Sequence, residues 1–471
     1  MLKVVEYGYI EPRIAIYFTN LQRKSQEFFR LICRVMPGFF VQYFGVSHMD
    51  YRIAIILYFE ALLGVYLLLK DEEHLSLRAM VSLSLLVVLA YVIRLGFFDY
   101  ETTDYTWFLK VWADYFRNGG GFKALKASIG NYNIPYLYFL ALFSYFNISD
   151  LYLIKALSTL FDGLLAWICM KLADKCGADQ RERIICFLIV LFLPTSVINS
   201  ALWSQCDSIY VFFALLGVLL ALDDKPVGSM IAAAASFGFK LQAVFIMPVW
   251  LIIWFWRKYK WFYFAAFPAA YLLLVLPAVL LGRPLKDAVL LYFNQAETVG
   301  SGLNYNAPSL TAFLRNLSSP ENASLVLILC AFLAMAALLA LGLFFRKKLT
   351  EESFLSLATL MALSIPFFLP HMHDRYFYLA DVLTLILAVC IPLASPAAVF
   401  TEFGSLICYL AYFSGYYCRV GSTNFFLTND RGAVAVLLAM LTVLAVFFLL
   451  IRHSASGHSA EPRPVLPNAE S

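Results

Sequence analysis

The chain is short of charge. Asp, Glu, Lys and Arg make up 14% of its 471 residues, against 62% hydrophobic residues, and the mean hydropathy is +0.76. Soluble domains carry about 25% charged residues, so a soluble globular protein is excluded. No polar stretch is long enough for a soluble domain; the longest are the N-terminal arm, 98–133 and 282–323. No Walker loop, GxGxxG or HExxH occurs, which removes the common signatures of nucleotide, dinucleotide and zinc-hydrolase sites. The nine cysteines lie singly, mostly inside apolar runs, with no CxxC or zinc spacing. They read as small core residues. A net charge of +4 is too modest to point to nucleic acid, and no such partner is expected. The first 50 residues are too polar and basic for a cleaved signal peptide. No tandem repeat is evident.

What the chain has is apolar runs of membrane-spanning length. They fall near 52–69, 77–97, 151–171, 184–202, 208–222, 229–239, 242–256, 261–281, 324–345, 353–369, 376–393, 398–417 and 432–451. Backbone polar groups in lipid must be satisfied within the segment, so such runs fold as helices. The expectation is an all-α polytopic integral membrane protein of about 13 transmembrane helices. The pair 229–239 and 242–256 is short and reads as half-helices or one long helix. Residues 134–146 are too short to cross untilted and read as a helix dipping into the outer leaflet. Residues 1–50 form a basic amphipathic arm, 51–451 the transmembrane domain, and 452–471 a Ser/Pro-rich, disordered cytoplasmic tail.

Charge sets the sidedness. Lys171, Lys175, Arg181 and Arg183 share one loop, Arg257, Lys258 and Lys260 a second, and Arg346, Lys347 and Lys348 a third. All three fall on the same side, which is cytoplasmic by the positive-inside rule. The external side then receives 98–150, 203–207, the turn at Lys240, 282–323, 370–375 and 418–431. The N-terminus does not obey this count: two spans before residue 98 would place it outside, yet Lys3, Arg13, Arg23, Lys24, Arg30, Arg34 and Arg52 argue for inside. Glu60, in mid-span, would cost about 2–3 kcal/mol against lipid and is expected to face protein. Lys155 and Asp162 stand seven apart on one helix face and are expected to pair with other spans.

The external segments hold the polar motifs. In "DYTWFLKVWADYFRNGGG", Asp104 opens an amphipathic surface helix that the glycines stop. Asp104 is either the N-cap of that helix or a carboxylate placed to take a proton from a hydroxyl. In "NYNIPYLYF", Tyr132, Pro135 and Tyr136 open the dipping helix, as binding residues or as ordinary interfacial anchors. In "ALWSQCDSIY", Trp203, Gln205 and Asp207 fill a very short loop, as a polar lining or as a capped helix start. In "FGFKLQAVF", Lys240 and Gln242 interrupt an apolar stretch, where the lysine snorkels or holds a phosphate. In "HMHDRYF", His371, His373 and Arg375 crowd together. The guanidinium fork suits phosphate, and HxH without a third ligand favours an anion over a metal.

These blocks resemble a known family. The order "D-Y-x-x-F-L-x-x-W", "Y-x-x-P-Y", "W-S-Q-x-D-S", "F-K-x-Q" and "H-x-H-D-R-Y-F-Y-L-A-D" is similar to the bacterial branch of the GPI-mannosyltransferase-like proteins, in the GT-C superfamily of membrane glycosyltransferases. The similarity runs from about residue 94 to 385. It implies an inverting transferase that takes a sugar, mannose or another hexose, from a polyprenyl-phosphate donor to a glycan, lipid or protein acceptor at the external face of the cell membrane. It implies Asp104 as the catalytic carboxylate, with Asp99 second. Ser204 stands where the family usually has Gly, and Gly allows backbone conformations that Ser avoids. Asp99 and Glu101 form no DxD with Asp104, so metal dependence does not carry over, and no cofactor is expected. Two other classes stay open: a transporter or lipid-linked sugar flippase, and a polysaccharide polymerase or ligase.

Overall fold

A computed structural model of the protein describes residues 51–72, 74–292, 302–314, 320–416 and 429–455. The basic arm over 1–50, with the side of the N-terminus, lies outside the described residues. So do residues 456–471 of the tail and parts of the external segments 282–323 and 418–431.

The apolar runs fold as helices, close to the limits read from the sequence. They are α1 Tyr51–Leu69, α2 Leu77–Leu95, α3 Lys110–Asn118, α4 Ile134–Phe143, α5 Asp150–Lys175, α6 Gln180–Phe192 and α7 Pro194–Leu202. There follow α8 Asp207–Leu222, α9 Pro226–Phe239, α10 Val249–Arg257, α11 Trp261–Leu280 and α12 Leu285–Val289. The last are α13 Pro320–Phe344, α14 Glu351–Phe368, α15 Tyr378–Cys390, α16 Ser395–Tyr416 and α17 Asn429–Ala455. Local chemistry sets several ends. Ser76 caps α2 through the Ala79 N–H, at 3.2 Å. Asp179 and Glu182 form a capping box on α6, and Thr350 and Ser353 one on α14. The last helix runs to Ala455, four residues into the segment expected to be tail.

Eight of these helices, α1, α2, α5, α11, α13, α14, α16 and α17, are long and apolar enough to cross a membrane. Helices α6 and α7 make a ninth if they are one span, bent by 43° where Leu193 precedes Pro194. That is the pattern of a multi-pass membrane protein. The other four apolar runs, α8, α9, α10 and α15, give helices of 16, 14, 9 and 13 residues, below the roughly 20 residues that cross untilted. Residues 229–239 and 242–256 form neither a single helix nor two equal halves: α9 is followed by a 3₁₀ turn, Leu241–Phe245, and then α10.

By compactness the chain divides after Phe59. Of the first unit only 51–59, the opening turns of α1, are described. In the second, α8 packs on α5 and α9, α13 on α14, and α16 on α15 and α17. Gly404 and Gly432 let α16 and α17 touch: a Cβ at either would stand 3.0 Å from the other's carbonyl oxygen. Small residues at such crossings are how helices approach in lipid.

The charges within the helices find partners, as burial requires. Glu60 is 6% exposed and accepts from the Thr159 hydroxyl at 2.8 Å. Asp162 of α5 pairs with Arg94 of α2 at 2.8 Å and accepts from Ser200 of α7 at 2.6 Å. Lys155 pairs with no acid here. Its ammonium donates to the carbonyls of Phe97, Phe98 and Tyr100 at 2.7–3.1 Å, beyond the end of α2.

The basic loops knit together at one end of these helices. Lys171 pairs with Asp71, Lys175 with Asp223, Arg183 with Glu72 and Asp174, and Arg257 with Glu351, at 2.6–2.9 Å. Helix α5 runs from this end, at Lys175, to the end where Lys155 stands and the external motifs gather.

Candidate functional site

Asp104 is not a helix cap. The surface helix starts with a π turn, Tyr105–Leu109, that leads into α3. Its cap is Thr102, whose hydroxyl accepts from the Tyr105 N–H at 3.3 Å. The Asp104 carboxylate is turned the other way. Its Oδ2 accepts from Trp203 Nε1 at 3.1 Å, Gln205 Nε2 at 3.1 Å and an Arg375 guanidinium N–H at 3.3 Å. Its Oδ1 takes the Tyr412 hydroxyl at 3.3 Å. Oδ1 thus carries one bond against three on Oδ2, and is the less occupied of the two oxygens. Glycine secures the back of this helix: Gly130 has φ +65°, and a Cβ there would meet the Trp112 ring at 2.2 Å.

The Trp203 loop is held by a second π turn, Ile198–Leu202, which closes when Trp203 N–H donates to the Ile198 carbonyl at 2.8 Å. Single π turns recur at functional sites because they re-aim side chains. Here two of them flank one contact, Asp104 with Trp203. Ser204 takes φ +63°, the left-handed backbone that glycine adopts freely. The loop therefore keeps the glycine-like shape with a serine in it, and the buried Ser204 hydroxyl has no partner among the described residues. Gln205 relays: it receives the Tyr132 hydroxyl at 3.0 Å and donates to Asp104. Burial raises the Tyr132 phenol well above its ordinary range, so it acts as a neutral donor.

Asp207 and Lys240 form a buried ion pair, and Asn199 donates to the same carboxylate at 2.7 Å. The lysine does not snorkel. Its ammonium lies over the Tyr132 ring, 5.8 Å from the centroid. Gln242 is 9% exposed, its Oε1 without a partner among the described residues.

The "HMHDRYF" segment is fixed by a short parallel pairing, β1 Asn304–Tyr305 with β2 Met372–His373. His371 serves this pairing. Its Nδ1 bonds the Gly302 carbonyl at 2.7 Å and its Nε2 meets the Ser324 hydroxyl at 3.1 Å. Both ring nitrogens are spent on the fold, which removes His371 as a ligand donor. His373 stacks on Tyr305, 4.8 Å between centroids. Burial, with Arg375 and Lys240 adding to it, holds its pKa down to about 3, so it is neutral. Asp374 is 5% exposed and accepts the Arg375 N–H at 3.0 Å. Burial pushes its carboxyl up to about 7, with Arg375 opposing and Asp104 adding to the rise. Arg375 lies 5.4 Å over the Trp203 ring, 3.3 Å from Asp104, 3.8 Å from Asp374 and 3.9 Å from Asp207.

All these groups surround one cavity of about 1020 Å³. Asp104, Tyr132, Gln205, Lys240, Gln242, His371, His373 and Arg375 form part of its wall. Trp203 and Asp207 stand one layer behind, in contact with Arg375. Asp99 is not part of it. Its carboxylate accepts the Tyr152 hydroxyl at 2.5 Å, away from the residues that line the cavity. The sequence reading passed over Asp374, Tyr305, Asn306 and Tyr412, which also line the space. Asp374 lay inside a motif that was read for its basic residues. The other three carry no local signal, since only the folding of 302–306 and the end of α16 brings them here. Phe239, Leu241, Val244, Phe245, Ile328 and Leu369 add apolar surface to its lining.

Among the described residues no group of three or more His, Cys, Asp or Glu is arranged to hold a metal ion. Chemically the site offers an oriented carboxylate, two cations and neutral phenol donors beside an apolar surface. No protein-family model matches the chain, and no curated protein matches it.

Proposed function

We propose that this protein is a membrane glycosyltransferase of GT-C type. It moves a hexose, mannose or a similar sugar, from a polyprenyl-phosphate donor to an acceptor hydroxyl at the outer face of a bacterial plasma membrane. The observation that carries the reading is one cavity whose wall holds both a carboxylate, Asp104, and two cations, Arg375 and Lys240. Its volume sits at the upper end of small-molecule pockets, about 300–1,000 Å³, and part of its lining is apolar enough for a lipid.

In this reading Asp104 Oδ1 takes the proton of the acceptor hydroxyl as its oxygen attacks the anomeric carbon. The bond from that carbon to the phosphate oxygen breaks, and its electron pair leaves with the polyprenyl phosphate. Arg375 and Lys240 offset the charge that builds there. Inversion puts base and leaving group on opposite sides of the sugar, so Arg375 cannot bond both at once. An arriving phosphate would draw the guanidinium away from Asp104 and free the base. Tyr132, Gln205 and Trp203 then keep the carboxylate aimed. A crossing count near thirteen would need α8, α9, α10 and α15 to cross as short or tilted spans.

The test is purified protein offered a panel of radiolabelled polyprenyl-phosphate hexoses with candidate acceptors, followed by mass analysis. One donor should yield a glycosylated product. Absence of transfer from every donor, with donor binding intact, would overturn the reading.

A transporter or lipid-linked sugar flippase has one observation in its favour. The α6–α7 break lies beside a buried charge pair, Arg94–Asp162, through Ser196 and Ser200, and broken helices near charges are common in transporters. Vesicles containing the protein would then move a labelled lipid-linked sugar between leaflets without changing it covalently.

A further inference from the structure

The charges around Arg375 do not balance. Two cations, Arg375 and Lys240, face three carboxylates. Arg375 lies 3.3 Å from Asp104, 3.8 Å from Asp374 and 3.9 Å from Asp207, and Asp207 also pairs with Lys240. With every acid ionised, these five side chains carry one net negative charge. A phosphodiester would bring another to the same place, and like charges in a partly buried site repel strongly. One proton relieves the excess.

The contacts differ among the three acids. Asp207 holds Lys240 and accepts from Asn199 at 2.7 Å. Asp104 accepts from Trp203, Gln205, Arg375 and Tyr412. Each of these two carboxylates is thus held by several donors. Asp374 has the least support: the backbone N–H of Arg375 at 3.0 Å, the Asn306 side chain, and the guanidinium only at 3.8 Å. It is also deeply buried. His373 beside it stays neutral, and burial keeps the phenols of Tyr132 and Tyr376 protonated.

We propose that Asp374 is a positioning acid that takes up a proton when the cavity binds a phosphate-bearing anion, which releases Arg375 from it toward the ligand. The proposal rests on the anion-holding role of Arg375 in the reading above, and on no transfer step. The atoms balance with one proton from solvent added to Asp374 and none lost.

The sign follows from linkage. Burial pushes the Asp374 carboxyl up to about 7, and a bound anion raises that value further. Well below pH 7 the acid is already protonated, and binding takes up nothing. Above pH 7 binding brings in a proton, so affinity falls as pH rises, by up to about tenfold per pH unit, until the pKa of the bound state is passed.

The probe is geranyl methyl phosphate, a phosphodiester that stays a monoanion across the range. Calorimetry of the full-length protein in detergent, in two buffers of different protonation enthalpy, gives the proton count. Expected is a count near zero at about pH 6, rising toward one between about pH 7.5 and 8.5. In Asp374→Asn the count should vanish and affinity should become flat with pH. Should that variant not fold, infrared difference spectra of the wild type and of Asp374→Glu supply a second readout. A protonated-carboxyl band should grow when the probe binds, and it should shift between the two proteins. Uptake that persists in Asp374→Asn, a band that does not shift, or no uptake in the wild type would overturn the proposal. No probe binding at any pH would overturn the anion-holding role as well. Failure of sugar transfer with binding and uptake intact would count against the transferase reading alone.

Discussion

Two clusters of charge differ in what lies beside them. Between α2 and α5, Arg94 and Asp162 are fully buried, meet at 2.8 Å and are joined by Ser196 and Ser200, with the buried Glu60 carboxylate close enough to act on both. At the cavity, two bases face three acids, Arg375 stands 3.3–3.9 Å from each of them, and open space lies beside it. The first ties α2, α5 and α7 together through Arg94, Asp162, Ser196 and Ser200 and holds these helices in register. The second has acceptor and donor capacity left over, which a ligand can use. A buried ion pair alone is therefore weak evidence of function; imbalance next to a cavity says more.

The comparison is broken most directly at Asp104. Asp104→Asn should lower turnover by about 10²–10⁴-fold, the usual contribution of a general base. Thr102 caps the helix, so folding should survive, and thermal unfolding of the variant checks this. Asp99→Asn, outside the cavity, is the control and should keep near-normal turnover. The reverse pattern would move the base to Asp99.

At the other cluster the effect should fall on stability. Arg94→Ala leaves Asp162 buried without its partner, at a cost of about 3–5 kcal/mol. Denaturation in detergent should show the loss, while Arg94→Met with Asp162→Leu should recover most of it. If the double variant stays as unstable as the single one, the pair does more than hold helices, and the transporter reading gains.

Arg375→Lys sharpens the contrast by keeping the charge and removing the fork. Donor affinity should fall by about 1–3 kcal/mol, the size of a lost charge-assisted hydrogen bond. Acceptor affinity should stay unchanged in the same titrations. Equal donor binding in wild type and variant would remove Arg375 from phosphate recognition.

The smallest effect is expected at Ser204. Relief of the left-handed backbone is worth about 1–2 kcal/mol, and the extra freedom of an unfolded glycine takes back about 0.5–1 kcal/mol. Ser204→Gly should thus stabilise modestly, and removal of the unpartnered hydroxyl adds to the gain. A lower melting temperature would mean that the hydroxyl has a partner in the folded protein.

Much of this was legible in the chain. The apolar runs set the helices to within a few residues, since in lipid a backbone has no other way to satisfy its polar groups. The basic residues Lys171, Lys175, Arg183 and Arg257, which the sequence grouped by charge, do pair with acids at one end of the helices. The named polar motifs contained most of the cavity wall. The role of each polar group was not legible, because the partner comes from a distant segment. Asp104 looked equally like a cap or a base until Trp203, Gln205 and Arg375, 99, 101 and 271 residues away, were seen on its carboxylate.

By itself the sequence determined that the protein is helical, apolar enough for a membrane, and polar at one set of loops. These follow from composition and periodicity, which act locally. The tertiary structure decided the rest. It spent both nitrogens of His371 on the 302–324 segment, left Asp99 with Tyr152, and moved Lys155 from an acid to three carbonyls. It also set Asp374 beside two other carboxylates. Hydrogen bonds and ion pairs are decided by distances of a few ångströms between segments far apart in the chain, and no local pattern records them.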